Sequence, residues 1–111
     1  MKHLALLAAL CLCPVVGNAY PVRTSFYGYE SGNRTASGEH FRPEGLTAAH
    51  RTLPFGTHLR VCWRSRCVVV RVNDRGPAAW TGRGLDLSRG AAQRLGMLHA
   101  GVAVVDVEVV R

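Results

Sequence analysis

The sequence predicts a mainly-β fold, a small closed barrel of short strands with one short helix. Three observations point there. Apolar and polar residues alternate with period two in several short runs, most cleanly in Val104-Val105-Asp106-Val107-Glu108-Val109-Val110. A single stretch, Ser88 to Gly96, carries both a helix start and a helix stop. The strands are rich in valine, and closing the sheet removes the open edges that such strands would otherwise expose. At 111 residues the chain has room for one domain.

In chain order, the first residues do not read as part of that domain. Met1-Lys2-His3 is a short basic start, Leu4 to Val16 is mostly apolar, and Gly17-Asn18-Ala19 supplies small residues where a signal peptidase reads them. Residues 1–19 are therefore expected to be a cleaved signal peptide, and residues 20–111 the folded domain. A membrane span is the alternative, but the run is short of the roughly 20 residues a span needs and Pro14 interrupts it. Neither Cys11 nor Cys13 follows the small residue that a bacterial lipoprotein signal places before its cysteine. The expectation is a periplasmic or secreted protein with no lipid anchor, no stable membrane insertion after signal cleavage, and a monomeric state.

Arg23 to Tyr29 is a first strand rich in aromatic and hydroxyl residues, and Glu30 to Arg34 is a polar loop. In Thr35-Ala36-Ser37-Gly38-Glu39-His40-Phe41, Gly38 permits a turn just before Glu39. Leu46 to His50 is a short strand and Leu53-Pro54-Phe55-Gly56 is turn chemistry. Thr57–Trp63 and Arg66–Asn73 form a hairpin, in which Leu59, Val61, Val68, Val70 and Val72 point to one side. Pro77 to Gly82 is a loop that exposes Trp80, and Gly84 to Leu87 alternates so that Asp86 opposes its two leucines. Ser88 caps the helix, Ala91, Ala92 and Leu95 form its apolar side, and Gly96 ends it. In the last strand Val105, Val107 and Val109 face inward.

Cys62 and Cys67 flank the hairpin tip and fall on the same face. Export would deliver them to an oxidising compartment, where a bridge across so small a loop contributes about 2 kcal/mol. Two free thiols are the alternative; a zinc pair is disfavoured because no second cysteine pair or histidine spacing completes a site. The net charge is +7, and once Lys2 is removed every basic side chain other than histidine is arginine. Such a surface favours anionic partners: nucleic acid, membrane or a cell-wall polymer. The arginines are scattered rather than gathered on one helix or interleaved with aromatics, so no nucleic-acid partner is expected.

The run Asn73-Asp74-Arg75-Gly76-Pro77 breaks a buried strand into a tight loop and sets a carboxylate beside a guanidinium, which is how a rigid scaffold presents a polar site at its rim. No phosphate loop, nucleophilic serine or cysteine constellation or HExxH pattern is present, and neither metal nor cofactor is expected. In order, Thr35-Ala36-Ser37-Gly38-Glu39, Leu46-Thr47-Ala48-Ala49-His50, Leu53-Pro54-Phe55-Gly56-Thr57, Asn73 to Pro77, Asp86-Leu87-Ser88 and Leu95-Gly96-Met97 resemble the rare lipoprotein A (RlpA-like) family. The likeness runs from about Ser25 to Val109. It implies a six-stranded double-psi β-barrel, shared with expansins and some endoglucanases. It also implies lytic transglycosylase activity on peptidoglycan glycan strands stripped of stem peptides, and active-groove roles for Glu39, His50, Asp74 and, less directly, Asp86. Two departures stand out: the sequence carries no C-terminal repeat domain for denuded glycan, and Cys62 and Cys67 stand where the family has a plain polar turn. The alternative is an expansin-like module that binds wall glycan without cutting it.

A lytic transglycosylase protonates the glycosidic oxygen, stabilises positive charge at the sugar carbon, and lets the sugar's own hydroxyl close a 1,6-anhydro ring. Water is not the nucleophile, so one acid suffices, and its proton is best held where a carboxyl is desolvated and far from cations. Glu39, among uncharged neighbours, is expected to be that acid/base, with Asp74, beside Arg75, as the ionised group that orients it or stabilises the cation. The reverse assignment, with the strand-end Asp74 as the acid, is the alternative. His50 offers a neutral imidazole. Asp86 either completes the groove or caps the helix, and Arg75 either contacts glycan or pairs with Asp74. Tyr27, Trp80 and Phe55 are candidate sugar-stacking surfaces, core packing being the competing role. His40, His58 and His99 read as surface residues.

Overall fold

The computed structural model describes residues 15–110. The basic start, most of the apolar stretch, Cys11 and Cys13 lie outside the described residues. Six strands form the sheet: β1 (Val15–Tyr27), β2 (Thr47–Ala49), β3 (His58–Trp63), β4 (Arg66–Asp74), β5 (Leu85–Ser88) and β6 (Ala103–Val110). They close in the order β1-β5-β2-β4-β3-β6. β1 with β5 and β2 with β4 run parallel, and the other four pairings are antiparallel.

β1 starts earlier than its composition suggests. Val15 and Val16 pair with Val110 and Val109, the register then shifts, and pairing resumes from Tyr20 opposite Val107 to Thr24 opposite Ala103. The strand stops at Tyr27, ahead of a single 3-10 turn over Tyr29–Ser31. The short strand expected over Leu46–His50 narrows to Thr47–Ala49, all three buried.

Period-two alternation fills the barrel as the pattern requires. Leu59 and Val61 of β3, Val68, Val70 and Val72 of β4, Leu85 and Leu87 of β5, and Val105 and Val107 of β6 are all buried. Val109, also expected inward, is half-buried against the same cluster. Helix α1 (Arg89–Leu95) closes one side through Ala91, Ala92 and Leu95. Its cap is the expected one: the Ser88 hydroxyl accepts from the Ala91 N–H at 3.3 Å. The same hydroxyl donates to the Gly45 carbonyl, so one side chain both starts the helix and anchors the segment beneath it. Gly90 fits that close approach because it lacks a Cβ: its N–H bonds the Pro43 carbonyl at 2.8 Å, and an added Cβ would run into the Glu44 backbone.

Cys62 and Cys67 are directly opposite in the β3–β4 register and are joined by a disulfide. The bridge ties the hairpin tip at the end of β4 remote from Asp74.

Candidate active site

Two loops converge on the C-terminal end of β4. The segment Thr35–His40 folds back on itself: the Thr35 N–H bonds the Glu39 carbonyl at 3.0 Å, and Gly38, at φ 89°, supplies the left-handed turn. It is pinned to β4 by the Ser37 N–H on the Asn73 carbonyl and the Ala36 N–H on Asp74 Oδ1, at 3.3 and 2.8 Å. From the other side the His50 N–H, just past β2, bonds the Asp74 carbonyl at 3.1 Å. Asp74 is thus where both loops meet the barrel.

The Asp74 carboxylate is held by neutral donors. Oδ1 accepts the Ala36 and Arg75 N–H groups at 2.8 and 2.9 Å, and Oδ2 accepts the Tyr27 hydroxyl at 3.1 Å. Tyr27 is itself fixed by stacking on Phe41, ring centroids 4.7 Å apart and 8° from parallel. Burial, then the negative charge of Asp74 and the bond to it, raise the Tyr27 pKa strongly, so its phenol stays protonated as a donor. The Arg75 side chain does not pair with Asp74, contrary to one expected role. It turns to the His50 and Leu53 carbonyls at 3.1 and 2.8 Å and lies 3.9 Å over the Phe55 ring. Adjacent charges in the sequence are therefore parted in space.

Glu39 stands in the opposite situation, and the expectation of uncharged surroundings is corrected. Arg71 grips its carboxylate with two parallel bonds at 2.8 and 2.6 Å. Alternation along β4 puts Arg71 on the outer face, and the 35–40 loop lays Glu39 across that face. The Arg71 bonds, opposed by partial desolvation and reinforced by Asn73, hold the Glu39 pKa below its ordinary value. The proton expected on Glu39 is therefore not favoured.

His50 is half-buried, and its Nδ1 accepts the Thr52 and Leu53 N–H groups, each at 3.1 Å. That assigns the remaining proton to Nε2. Burial, with Arg51 and Arg75 nearby, lowers its pKa, so the ring is neutral at pH 7, as the sequence reading required. Asp86 does not cap the helix, since Ser88 does. It instead bonds the Ser25 hydroxyl and the Arg83 guanidinium, the latter at 3.2 Å. Ser25, Arg71 and Arg83 escaped the sequence reading; the one local signal was the three-residue spacing of Arg83 and Asp86.

A cleft of about 210 Å³ opens between these groups, lined by Tyr27, Ser31, Ala49, Asp74, Arg75 and Asp86. A larger groove of about 520 Å³ lies on the other side of the Tyr27–Phe41 stack, lined by Tyr29, His40 and Phe41 among others. Glu39 and His50 belong to the loops that hold Asp74 and are not among the residues lining the smaller cleft. Trp80 is 88% exposed and Phe55 43% exposed, which rules out core packing for both. His40, His58 and His99 are exposed, as expected.

A family model described as lytic transglycolase matches residues 21–107. The chain belongs to that family. It is 57% identical over 90 residues to a probable endolytic peptidoglycan transglycosylase RlpA of Nostoc, a stretch covering 77% of this chain and 24% of the relative. It is 58% identical over 74 residues to the endolytic peptidoglycan transglycosylase RlpA of Yersinia pestis, covering 64% of this chain and 20% of that protein. The matched stretch spans between a fifth and less than half of the length of such curated relatives, from 20% to 43%. Among solved structures it resembles the Streptomyces papain inhibitor, with a TM-score of 0.71 and 22% identity over 89% of this chain and 99% of that one. The apo expansin of Clavibacter michiganensis gives a TM-score of 0.67 and 25% identity, over 84% of this chain and 50% of that one. The six-stranded barrel is of the double-psi type.

Proposed function

We propose that this chain is an endolytic peptidoglycan lytic transglycosylase that cleaves glycan strands stripped of stem peptides and leaves 1,6-anhydro-MurNAc ends. The observation that carries the reading is the convergence of the 35–40 and 50–55 loops on Asp74, beside a cleft of saccharide scale, in a chain similar to proteins named for that activity.

In this reading Asp74 is the acid/base, the reverse of what its sequence neighbours favour. Asp74 lines the cleft, and its carboxylate is bonded by the Tyr27 hydroxyl and two backbone N–H groups with no side-chain cation fixed against it, so it is the carboxyl within reach of a sugar bound there. Asp74 gives a proton to the glycosidic oxygen and takes one from the sugar hydroxyl that closes the anhydro ring. Tyr27 orients Oδ2. A glycan strand longer than the cleft would extend past Asp74 toward the two loops that hold it, where Glu39, kept anionic by Arg71, would stabilise positive charge and His50 would donate from Nε2 to a sugar oxygen. Asp86, fixed by Ser25 and Arg83, accepts sugar hydroxyls on the far wall, and Arg75 frames the rim. The exposed ring of Trp80 offers an apolar plane to a sugar's C–H face.

The protein acts outside the cytoplasm, periplasmic or secreted, as a monomer without stable membrane insertion. Among the described residues no helix is long and apolar enough to cross a membrane. Cleavage after Ala19 would leave the continuous Tyr20–Thr24 pairing with β6 intact.

The likeness to an expansin favours one other reading, a wall-binding barrel that does not cut. Mass spectrometry of denuded sacculi treated with the purified chain separates the two. Anhydro-muramic ends released by the wild type and not by Asp74→Asn are expected. Glycan binding without such ends would select the non-catalytic alternative.

A further inference from the structure

The tip of the β3–β4 hairpin and helix α1 build a second polar surface that the cleft does not use. Two hollows adjoin there: one of about 410 Å³ lined in part by Arg66, Arg94 and Glu44, and one of about 190 Å³ lined in part by Trp63, Arg64 and Arg66. Arg66 belongs to both. The ion pairs among the described residues engage Arg60, Arg71, Arg83 and Arg89, and they leave Arg64, Arg66 and Arg94 without an acidic partner. The one carboxylate at the rim, Glu44, is already taken by Arg89 and the Tyr29 hydroxyl, at 3.2 and 2.8 Å.

These guanidinium groups are presented on a stiff support. The disulfide ties the tip, the Arg64 guanidinium lies 4.2 Å over the Trp63 ring, and Arg66 leans on Gly96 at the helix end. Held this way, they lose less freedom when they bind, and guanidinium is the side chain that matches carboxylate with paired bonds. β4 separates this surface from Asp74 by roughly 26 Å, the length of eight strand steps.

We propose that this surface is a second binding site for a peptide carrying two or more free carboxylates, one engaged by Arg66 and the next by Arg64 or Arg94. Hollows that share one cation suit an extended acidic chain better than a flat anionic membrane, which meets convex surfaces. Under the function proposed above, and only there, the source is defined: peptides that remain on neighbouring wall strands carry such carboxylates, while a peptide-free strand occupies the Asp74 cleft.

The test is a calorimetric titration of the purified chain with a synthetic Glu-Ala-Glu peptide. Saturable binding is expected, weakened about tenfold by Arg66→Ser, as for the loss of one charge-assisted pair. Binding should also weaken with added salt and be unchanged in Asp74→Asn and in Arg23→Ser, which removes a charge elsewhere. No binding, or equal binding by Arg66→Ser with an unchanged melting curve, overturns the proposal. So does Arg66-dependent sedimentation with phosphatidylglycerol vesicles when the peptide is not bound, since the surface would then face a membrane. No product is formed in the titration, so its outcome does not depend on whether the cleft cuts glycan.

Discussion

Glu39 on the folded-back 35–40 loop and Asp74 at the end of β4 have exchanged the environments their sequence neighbours promise. Glu39 lies between Gly38 and His40 yet ends in a two-pronged ion pair with Arg71, 32 positions away. Asp74 precedes Arg75 yet is bonded only by backbone N–H groups and a phenol, because the Arg75 side chain is drawn to the carbonyls of His50 and Leu53. Charge adjacency along a strand end says little about charge adjacency in space, since successive side chains leave opposite faces of the sheet. A proton donor must be able to hold its proton, and a cation fixed against a carboxylate opposes that.

The sharpest way to break this comparison is to remove each carboxyl in turn. Asp74→Asn is expected to lower turnover on denuded glycan by about 10²–10⁴-fold, the scale of losing a general acid/base, with glycan affinity little changed. Glu39→Gln should cost less, about tenfold, because a charge at the edge is lost and the proton donor is kept. Equal losses in both, measured as anhydro ends released per unit time, would mean that the two carboxyls act as one unit. Full activity in both would remove the enzymatic reading. A smaller effect, a few-fold loss in turnover with affinity unchanged, is expected from Tyr27→Phe, which keeps the stack on Phe41 and deletes the bond to Oδ2.

Much of the barrel was legible because alternation is a local signal. The inward valines of β4 and β6, the Ser88 cap and the opposed cysteines were each readable from spacings of a few residues. What escaped depended on pairings that local pattern does not encode. Arg71 reads as one more outward residue until a loop from position 39 crosses it, and Ser25 meets Asp86 only because β1 and β5 are parallel neighbours. The start of β1 was hidden for a related reason: Val15 and Val16 look like the end of an apolar leader, and only their partners on β6 give them a strand role. Motif resemblance named Glu39, His50 and Asp74 together, and the fold brings the loops that carry the first two to the strand end that carries the third, whereas their electrostatics followed from tertiary contacts.

The smallest predicted effect isolates the Glu39 side of the comparison. Its folded pKa is depressed, chiefly by the Arg71 hydrogen bonds, so the unfolded chain takes up the Glu39 proton first as pH falls. The stabilisation from this pair is therefore complete above the ordinary glutamate range near 4.5 and is lost as pH drops through the lower folded value. Both side chains are more than a third exposed, so the gain is that of a screened surface pair. Thermal midpoints of the wild type and Arg71→Met, measured from pH 7 down to pH 3, should differ by a small constant amount at the upper end and converge at the lower. Adding salt should shrink the gap at pH 7. A gap that persists unchanged below the folded pKa would show that Arg71 stabilises the loop by packing rather than by charge. The electrostatic contrast between Glu39 and Asp74 would then need another basis.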